Sequence, residues 1–338
     1  MEANSSAAAN APAAKACNFK FRGDGSEYFK IWIVNLLLSI ITLGIYSPWA
    51  KVRNNRYLYS NLYLDNNNFR YLAEPIPILK SRIIAVLAFV AYTFISQQDP
   101  SAGLVLALAL TLAIPFFVNK ALAFNHRMSA YKNIQFRFKA SYGEAFMVFY
   151  IWPLLGILSL GILYPMAILK MNQYLVKNSA YGTTAFNFDA TYKDYGVLFL
   201  IMIGVGITIG LPLWGISLLF ASLNFVAPVL MMALYFILFT YFYAEVTNLF
   251  YRSLSLGRHR FKAQLTLPGL ARVFIINAVL TVLTLGLYLP AAKVRMTKYL
   301  CDNLCLQAHG SLDNFIAAEN DSITALGDQF GEVFDFGV

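Results

Sequence analysis

The chain has 338 residues, of which 59% are hydrophobic and 13% are charged. Soluble domains average about 45–50% apolar and about 25% charged residues, so a water-soluble fold is excluded, as are a disordered chain and a disulfide scaffold. The formal net charge is +9, yet seven acidic residues and no Lys or Arg follow Lys298. This composition predicts an integral membrane protein with a basic body and an acidic tail.

The chain begins with a segment, 1–18, that is rich in Ala and Asn and is predicted to be a flexible tail. An internal repeat then starts at Phe19. An offset of 117 residues aligns the first copy with the second, and an offset of 125 aligns the second with the third, without gaps. The predicted units are 19–135, 136–260 and 261–305, and the acidic tail is 306–338.

Each repeat opens with an alternating aromatic and polar segment, Phe19–Phe21 in the first copy, which has the period of a β-strand. A second such segment comes about fifty residues later, and in the third unit it lies near Phe315. Between them runs a long apolar helix that is interrupted by Gly and Pro four residues apart, which end or kink a helix. The helix-break residues are Gly44, Pro48, Gly161, Pro165, Gly286 and Pro290.

Two further apolar helix pairs lie between the repeats, at 83–118 and 197–243. Their tips, near Asp99 and Leu223, have no Lys or Arg close by, so the positive-inside rule predicts that both tips face outside. The broken repeat helices are basic at both ends, which predicts that they enter the membrane and return to the cytosol. An ordinary seven-helix protein with weak charge bias is the alternative.

The predicted fold class is therefore an all-α multi-pass membrane protein with three repeats, two spanning helical hairpins and short cytosolic β-strands. The strands are expected in the cytosol because their edges are not tolerated in lipid. They form small sheets that cap the repeat helices, or alternatively their aromatic residues only anchor the chain at the interface.

No phosphate loop, nucleophile elbow or zinc-protease motif is present in the sequence. The three histidines share no spacing with carboxylates, and Cys301 and Cys305 lack further ligands. We therefore expect no enzyme activity, no cofactor and no metal. The basic residues lie beside apolar segments and no recognition module is visible, so nucleic acid is not an expected partner.

The helix break followed by basic residues is the most specific candidate site. Broken membrane helices form solute sites in transporters, whereas interfacial Trp and Lys only anchor a helix. A transport or channel-like function for a small or anionic solute is the first hypothesis, and a lipid-headgroup-binding scaffold is the alternative, with anionic lipids of the bilayer as expected partners. The candidate contacts are Lys51, Arg53, Arg56, Lys170, Lys293, Arg295 and Lys298.

Three polar residues lie within or near the apolar helices. Asn35 and Asn277 are at equivalent positions and are expected to hydrogen-bond between repeats. Glu245 lies near the cytosolic end of the second hairpin, and it is one of few acidic residues near a hydrophobic stretch.

The repeated motif resembles a known family. The segments Phe21–Gly23, Glu27–Phe29, Asn35–Leu37, Thr42–Arg53 and Phe69–Tyr71 closely resemble the YjgN family of bacterial inner-membrane proteins, and the resemblance covers about residues 19–305. It implies a multi-pass protein of the bacterial cytoplasmic membrane and supplies no activity.

Overall fold

The structure, a computed structural model, describes residues 15–219 and 226–310. This part of the chain combines helices with ten short β-strands that close into one antiparallel barrel. The predicted all-α fold class is therefore wrong, although most described residues are helical. The strands form a closed barrel because separate small sheets would leave unpaired backbone groups at their edges, and closure pairs every strand on both sides.

The barrel strands are short, and four pairs of them are joined by two-residue turns. Asp65 and Asn66 have φ of 46° and 60°, as a type I′ turn requires, and Gly182 has φ of 57° at the first position of its turn. The strands are β1 Lys15–Phe21, β2 Leu62–Leu64, β3 Asn67–Tyr71, β4 Ser129–Tyr131, β5 Ile134–Phe138, β6 Ser179–Tyr181, β7 Thr184–Phe188, β8 Leu254–Leu256, β9 His259–Ala263 and β10 Leu304–Ala308.

The described helices are α1 Gly25–Ile41, α2 Ser47–Ser60, α3 Pro75–Gln98, α4 Pro100–Arg127, α5 Tyr142–Leu158, α6 Tyr164–Lys177, α7 Tyr192–Leu218, α8 Val226–Arg252, α9 Leu267–Leu283 and α10 Leu289–Asp302. In this part of the chain, consecutive helices pack in pairs as five helical hairpins. We call α1–α2, α5–α6 and α9–α10 the short hairpins, and α3–α4 and α7–α8 the long hairpins.

One structural unit, a strand followed by a helical hairpin and a second strand, occurs five times along the described chain. The repeat found in the sequence corresponds to the three units with short hairpins, and the long hairpins belong to the second and fourth units. Every hairpin joins two neighbouring antiparallel strands, such as β1 and β2. All five hairpins therefore leave from one end of the barrel, the helix end, and the two-residue turns lie at the opposite turn end.

The first and last strands close the barrel by pairing with each other, with Cys17 opposite Leu306. β1 begins inside the segment predicted to be a flexible tail, and β10 includes the first three residues of the segment predicted to be an acidic tail. The expected third-unit strand near Phe315 lies outside the described residues. The strand that completes the third unit is β10, which follows α10 directly.

Within the described residues, the predicted alternating segments are barrel strands, and their first aromatic residues line the barrel interior. This lumen ring consists of Phe19, Phe69, Phe136, Phe186 and Phe261. Ring centroids are 6.4 Å apart between Phe19 and Phe69 and between Phe136 and Phe186. The interior is therefore an aromatic core, which the alternating pattern of a strand with one apolar face explains.

Two tyrosines complete the wall of the lumen. Tyr131 donates its hydroxyl hydrogen to the Leu64 carbonyl at 2.8 Å, and Tyr181 donates to the Tyr131 carbonyl at 2.8 Å. Both hydroxyls are thus bonded to strand backbone, and only apolar surface faces a cavity of about 210 Å³. A ten-strand barrel is wider than an eight-strand one, which is why aromatic side chains do not fill it completely.

The second aromatic residue of each alternating segment packs at the helix end. Phe21, Tyr71, Phe138 and Phe188 are buried there, and Ala263 takes the fifth position. The returning helix of each hairpin packs on an odd-numbered strand: α2 on β3, α4 on β5, α6 on β7, α8 on β9 and α10 on β1. These apolar contacts fix the five hairpins to the barrel.

A repeated Tyr closes the first and third short hairpins onto the backbone after their first strands, whereas the equivalent Tyr174 of the second donates to Asn119 of α4. The Tyr57 hydroxyl accepts from the Asp24 amide at 2.8 Å, and the Tyr299 hydroxyl accepts from the Thr266 amide at 3.2 Å. Four residues after each tyrosine, an Asn side chain donates to the tyrosine carbonyl at the helix end, at 2.9 Å for Asn61. The repeat offsets of 117 and 125 residues relate Tyr57, Tyr174 and Tyr299, and also the Asn four residues after each, so these offsets reflect structural bonds.

Four of the described helices are long and apolar enough to cross a membrane, namely α3, α4, α7 and α8. The apolar helices α5 and α9 have 17 residues each and are shorter. The two long hairpins thus have the length of spanning pairs, and the three short hairpins do not.

The lumen ring predicts a sharp difference between neighbouring residues of β7. Phe186→Ala should destabilise the protein by about 3 kcal/mol, because it removes a large apolar side chain beside an existing cavity. Asn187→Ala, the matched control on the exposed outer face, should change stability by less than about 0.5 kcal/mol. Thermal unfolding in detergent measures both, and equal effects would contradict the assignment of the lumen as a core.

Candidate functional site

The predicted helix breaks are tight turns at the tips of the short hairpins. Each begins with a pair of residues in the left-handed region: Leu43 has φ of 51° and Gly44 has φ of 89°. Leu160 with Gly161 and Leu285 with Gly286 repeat these values within a few degrees. A left-handed glycine is a common way to end a helix.

The backbone of each turn is hydrogen-bonded. Gly44 N–H donates to the Ser39 carbonyl at 2.7 Å, and the equivalent bonds of Gly161 and Gly286 are 2.8 Å. The hydroxyl of Thr42 accepts from the Tyr46 amide at 3.0 Å, and Ser159 and Thr284 act in the same way. The turns therefore do not present the unpaired backbone groups of a transporter's broken helix.

The tips themselves are apolar and exposed. Leu43, Leu160 and Leu285 are each 94% exposed. Exposed isoleucine, leucine and valine side chains flank them, namely Ile40, Ile41, Ile45, Ile157, Leu158, Ile162, Val282, Leu283 and Leu287. An exposed apolar cluster of this kind is typical of a surface that enters lipid.

Helix length limits how far these tips reach. In α1 the uncharged part before the turn is Ile31–Ile41, which rises about 16 Å. In α2 the first charge, Lys51, comes at the fifth residue, only about 6 Å along the returning helix. The hydrocarbon core is about 30 Å thick, so the uncharged length of this first short hairpin corresponds to about half of that thickness.

The prolines of the motif stand at the start of the returning helices. Pro48, Pro165 and Pro290 are buried within the first turn of α2, α6 and α10. A proline fits there because the first amide groups of a helix have no partner within the helix. The break therefore results from the left-handed pair, and the proline sets the beginning of the next helix.

The basic candidates lie on the three returning helices. Some are exposed to the surroundings, and others contact a neighbouring group of the protein. Lys51, Arg53, Lys293 and Lys298 are exposed. Arg56 donates to the Ala73 carbonyl at 2.9 Å and ties α2 to the end of β3. Lys170 lies 5.7 Å from the Trp152 ring, and Arg295 lies 3.5 Å from the Asn277 side-chain oxygen.

The structure does not bring the basic residues of different repeats together. The helices follow each other in a closed ring, in which α10 contacts α1 and α6 contacts α7. Two long-hairpin helices and α5 separate α2 from α6, and α1 separates α10 from α2. The charges are therefore distributed around the ring at a similar height and do not converge on one solute.

The paired asparagines act within single hairpins. Asn35 is 1% exposed and donates to Asn54 at 2.9 Å, and Asn277 donates to the Ala292 carbonyl at 3.2 Å. Each bond joins the two helices of one short hairpin. The expected bond between repeats is thus a bond inside a repeat.

The turn geometry generates a prediction for two glycines of one hairpin. Gly161→Ala should destabilise the protein by about 1 kcal/mol, because an L-residue at φ of 93° is strained even where space is free. Gly143→Ala, in α5 and also with free space, should be neutral or slightly stabilising. Thermal unfolding in detergent compares them, and a neutral Gly161→Ala would contradict the need for glycine in the turn.

Comparison with known proteins agrees with the inner-membrane assignment. A chain from Salmonella typhimurium strain LT2 named inner membrane protein YjgN is 26% identical, covering 87% of this chain and 89% of the relative. Proteins of the same name from Escherichia coli O157:H7 and strain K12 are 34% identical over 43% of this chain and 36% of theirs. No solved structure matches.

A family described as bacterial protein of unknown function (DUF898) matches residues 16–333. Together with the four long apolar helices, these relatives make the chain a multi-pass membrane protein. The resemblance inferred from the repeat motif is confirmed. The chain belongs to the DUF898 family of bacterial proteins and is similar to the inner membrane proteins YjgN.

Proposed function

We propose that the protein is a membrane scaffold that binds anionic lipid headgroups in the cytoplasmic leaflet. The observation that carries the proposal is the set of three exposed apolar tips, each followed by a returning helix. In two of these helices the fifth residue is an exposed lysine, Lys51 or Lys293. Apolar tips enter the leaflet, and the lysines then lie where anionic headgroups attract them.

The proposed topology has the barrel in the cytosol and the tips of both long hairpins, near Asp99 and Leu223, outside. Two observations support it. All five hairpins leave one end of the barrel, and no Lys or Arg lies in residues 83–119 or 194–251. A hairpin that starts and ends at the barrel crosses the membrane twice or not at all, so three short re-entrant and two long spanning hairpins fit the charge pattern.

A conduit for a small or anionic solute is the rival function. A path along the barrel axis would pass the lumen ring, and the cavity there exposes only apolar surface. A charged solute loses its hydration in such surroundings without gaining partners. This disfavours transport through the barrel and supports the scaffold. The proposal includes no catalytic step, cofactor, metal or nucleic acid.

The headgroup proposal is tested by removing the two lysines. Lys51→Gln with Lys293→Gln should weaken binding of phosphatidylglycerol about thirtyfold, because each lysine near an anionic surface contributes about 1 kcal/mol. Titration of the detergent-purified protein with the lipid, followed by native mass spectrometry, measures the effect. Phosphatidylcholine binding should not change.

The matched control is Lys132→Gln with Arg258→Gln, which removes two charges from two-residue turns at the far end of the barrel. It should bind phosphatidylglycerol as the parent does. An unchanged affinity in the first variant, or equal losses in both, would overturn the proposal.

The topology is tested with single cysteines. With the three native cysteines replaced, Asp99→Cys and Leu223→Cys should react with an impermeant thiol reagent from outside, and Lys132→Cys only after permeabilisation. Among the native cysteines, Cys301 should contribute little background labelling even where it is kept, because burial raises the pKa of its thiol to about 12 and keeps it unreactive. Labelling of one tip alone would rule out the re-entrant arrangement.

A further inference from the structure

A polar pocket of about 450 Å³ lies outside the barrel, where α7 and α8 meet β9. It stands apart from the short-hairpin tips. Five charged residues line it: Asp194, Glu245, Arg252, Arg260 and Lys262. Asp194 belongs to the first turn of α7 and Arg252 ends α8, so the pocket lies where the second long hairpin meets the barrel.

The acidic and basic side chains of this pocket are not in ion-pair contact in the described part of the chain. Within the described residues, no ion pair or side-chain hydrogen bond involves Glu245, Arg252, Arg260 or Lys262. Asp194 accepts bonds from Thr191 at 2.8 and 2.7 Å, and both go to Oδ2. Its Oδ1 remains available to a ligand.

The pocket is rigidly framed on one side. Asn248 donates to the Leu265 carbonyl at 2.9 Å and accepts from the Leu265 amide at 2.8 Å. These two hydrogen bonds fix α8 to Leu265, which lies just beyond β9. Glu245 lies about one turn earlier on α8 and Lys262 lies on β9, so these bonds hold together the two elements that carry them.

The two carboxylates of the pocket occur in the second long hairpin, α7–α8, and not at the equivalent positions of the first. With the repeat offsets of 117 and 125 residues, the position of Glu245 in the other long hairpin is Lys120, and that of Asp194 is Pro77. Arg260 corresponds to Gln135. The carboxylates are thus not shared by the two long hairpins. Asp194 also closes a capping box with Thr191 at the start of α7, whereas Glu245 makes no side-chain hydrogen bond within the described residues.

The arrangement presents anions from the helices and cations from the strand and the helix terminus. A ligand that satisfies both carries a phosphate and a primary ammonium group: arginine and lysine bind phosphate, and carboxylates accept from ammonium. We infer that this pocket binds a phosphoethanolamine group, from a membrane phospholipid or from a free glycerophosphodiester. Its place at the foot of a membrane hairpin suits either source.

The test uses three soluble probes with the intact protein in detergent: glycerophosphoethanolamine, glycerophosphocholine and glycerophosphate. Isothermal titration should show tightest binding of the first, because only it has both a phosphate and N–H donors. Glu245→Gln should weaken glycerophosphoethanolamine binding about tenfold, which corresponds to one charge-assisted hydrogen bond, and leave glycerophosphate unchanged. Arg260→Gln with Lys262→Gln should weaken all three.

Glu74→Gln is the matched control, since Glu74 is an exposed carboxylate that precedes α3 and makes no capping bond there. It should bind as the parent does, and thermal unfolding of every variant confirms folding. Native mass spectrometry with diacyl phosphatidylethanolamine distinguishes the phospholipid from the free glycerophosphodiester as the ligand. If the protein retains the lipid but does not bind the soluble probe, the ligand is the lipid headgroup. If the soluble probe also binds, the free diester is a ligand as well.

The inference is overturned if neither form binds, if glycerophosphate binds the parent as tightly as glycerophosphoethanolamine, or if Glu245→Gln keeps the preference. The Lys51 and Lys293 variant should bind these probes normally. A negative result with these probes therefore does not contradict the scaffold proposal. Likewise, a negative result with the Lys51 and Lys293 variant does not contradict the proposal for this pocket.

Discussion

The pairing of β1 with β10 is the constraint on which the rest of the structure depends. Strands of three to seven residues are too short to form stable separate sheets, and open edges would be hazardous beside a membrane. Closure pairs every strand on both sides and encloses the lumen ring. It also brings residues near the two ends of the described chain together, so that the position of each hairpin depends on the whole barrel.

The proposed topology, with the closed barrel at one membrane face, explains how two kinds of hairpin coexist. Each hairpin returns to the strand next to its origin, so its length alone decides whether it crosses the bilayer. The long hairpins have spanning length, and the short ones end in turns whose amides are bonded internally. A turn with satisfied backbone groups is tolerated in lipid, because no polar group is left without a partner.

The same geometry separates three chemical environments along the barrel axis. The lumen is aromatic and offers no polar contact to a solute. The tips of the short hairpins are apolar, and charged residues lie between these two regions on the returning helices and on the outer barrel wall. In the proposed topology, charges at this intermediate height lie where a bilayer offers charged headgroups as partners, which is the reason for proposing lipid headgroups over a transported solute.

Composition, periodicity and the repeat by themselves determined that the chain is a membrane protein, that strands such as Phe19–Phe21 exist, and that Gly44 interrupts a helix, because these signals are local. The partners of the strands were decided only by the tertiary structure, since an alternating segment shows which side is buried and not which strand lies beside it. For the same reason the sequence revealed three repeats and not five units: the long hairpins differ in sequence but occupy equivalent places in the barrel. The juxtaposition of Glu245 with Lys262 likewise arose only when α8 packed on β9, because residues on different elements meet through long-range packing, which no spacing along the chain encodes.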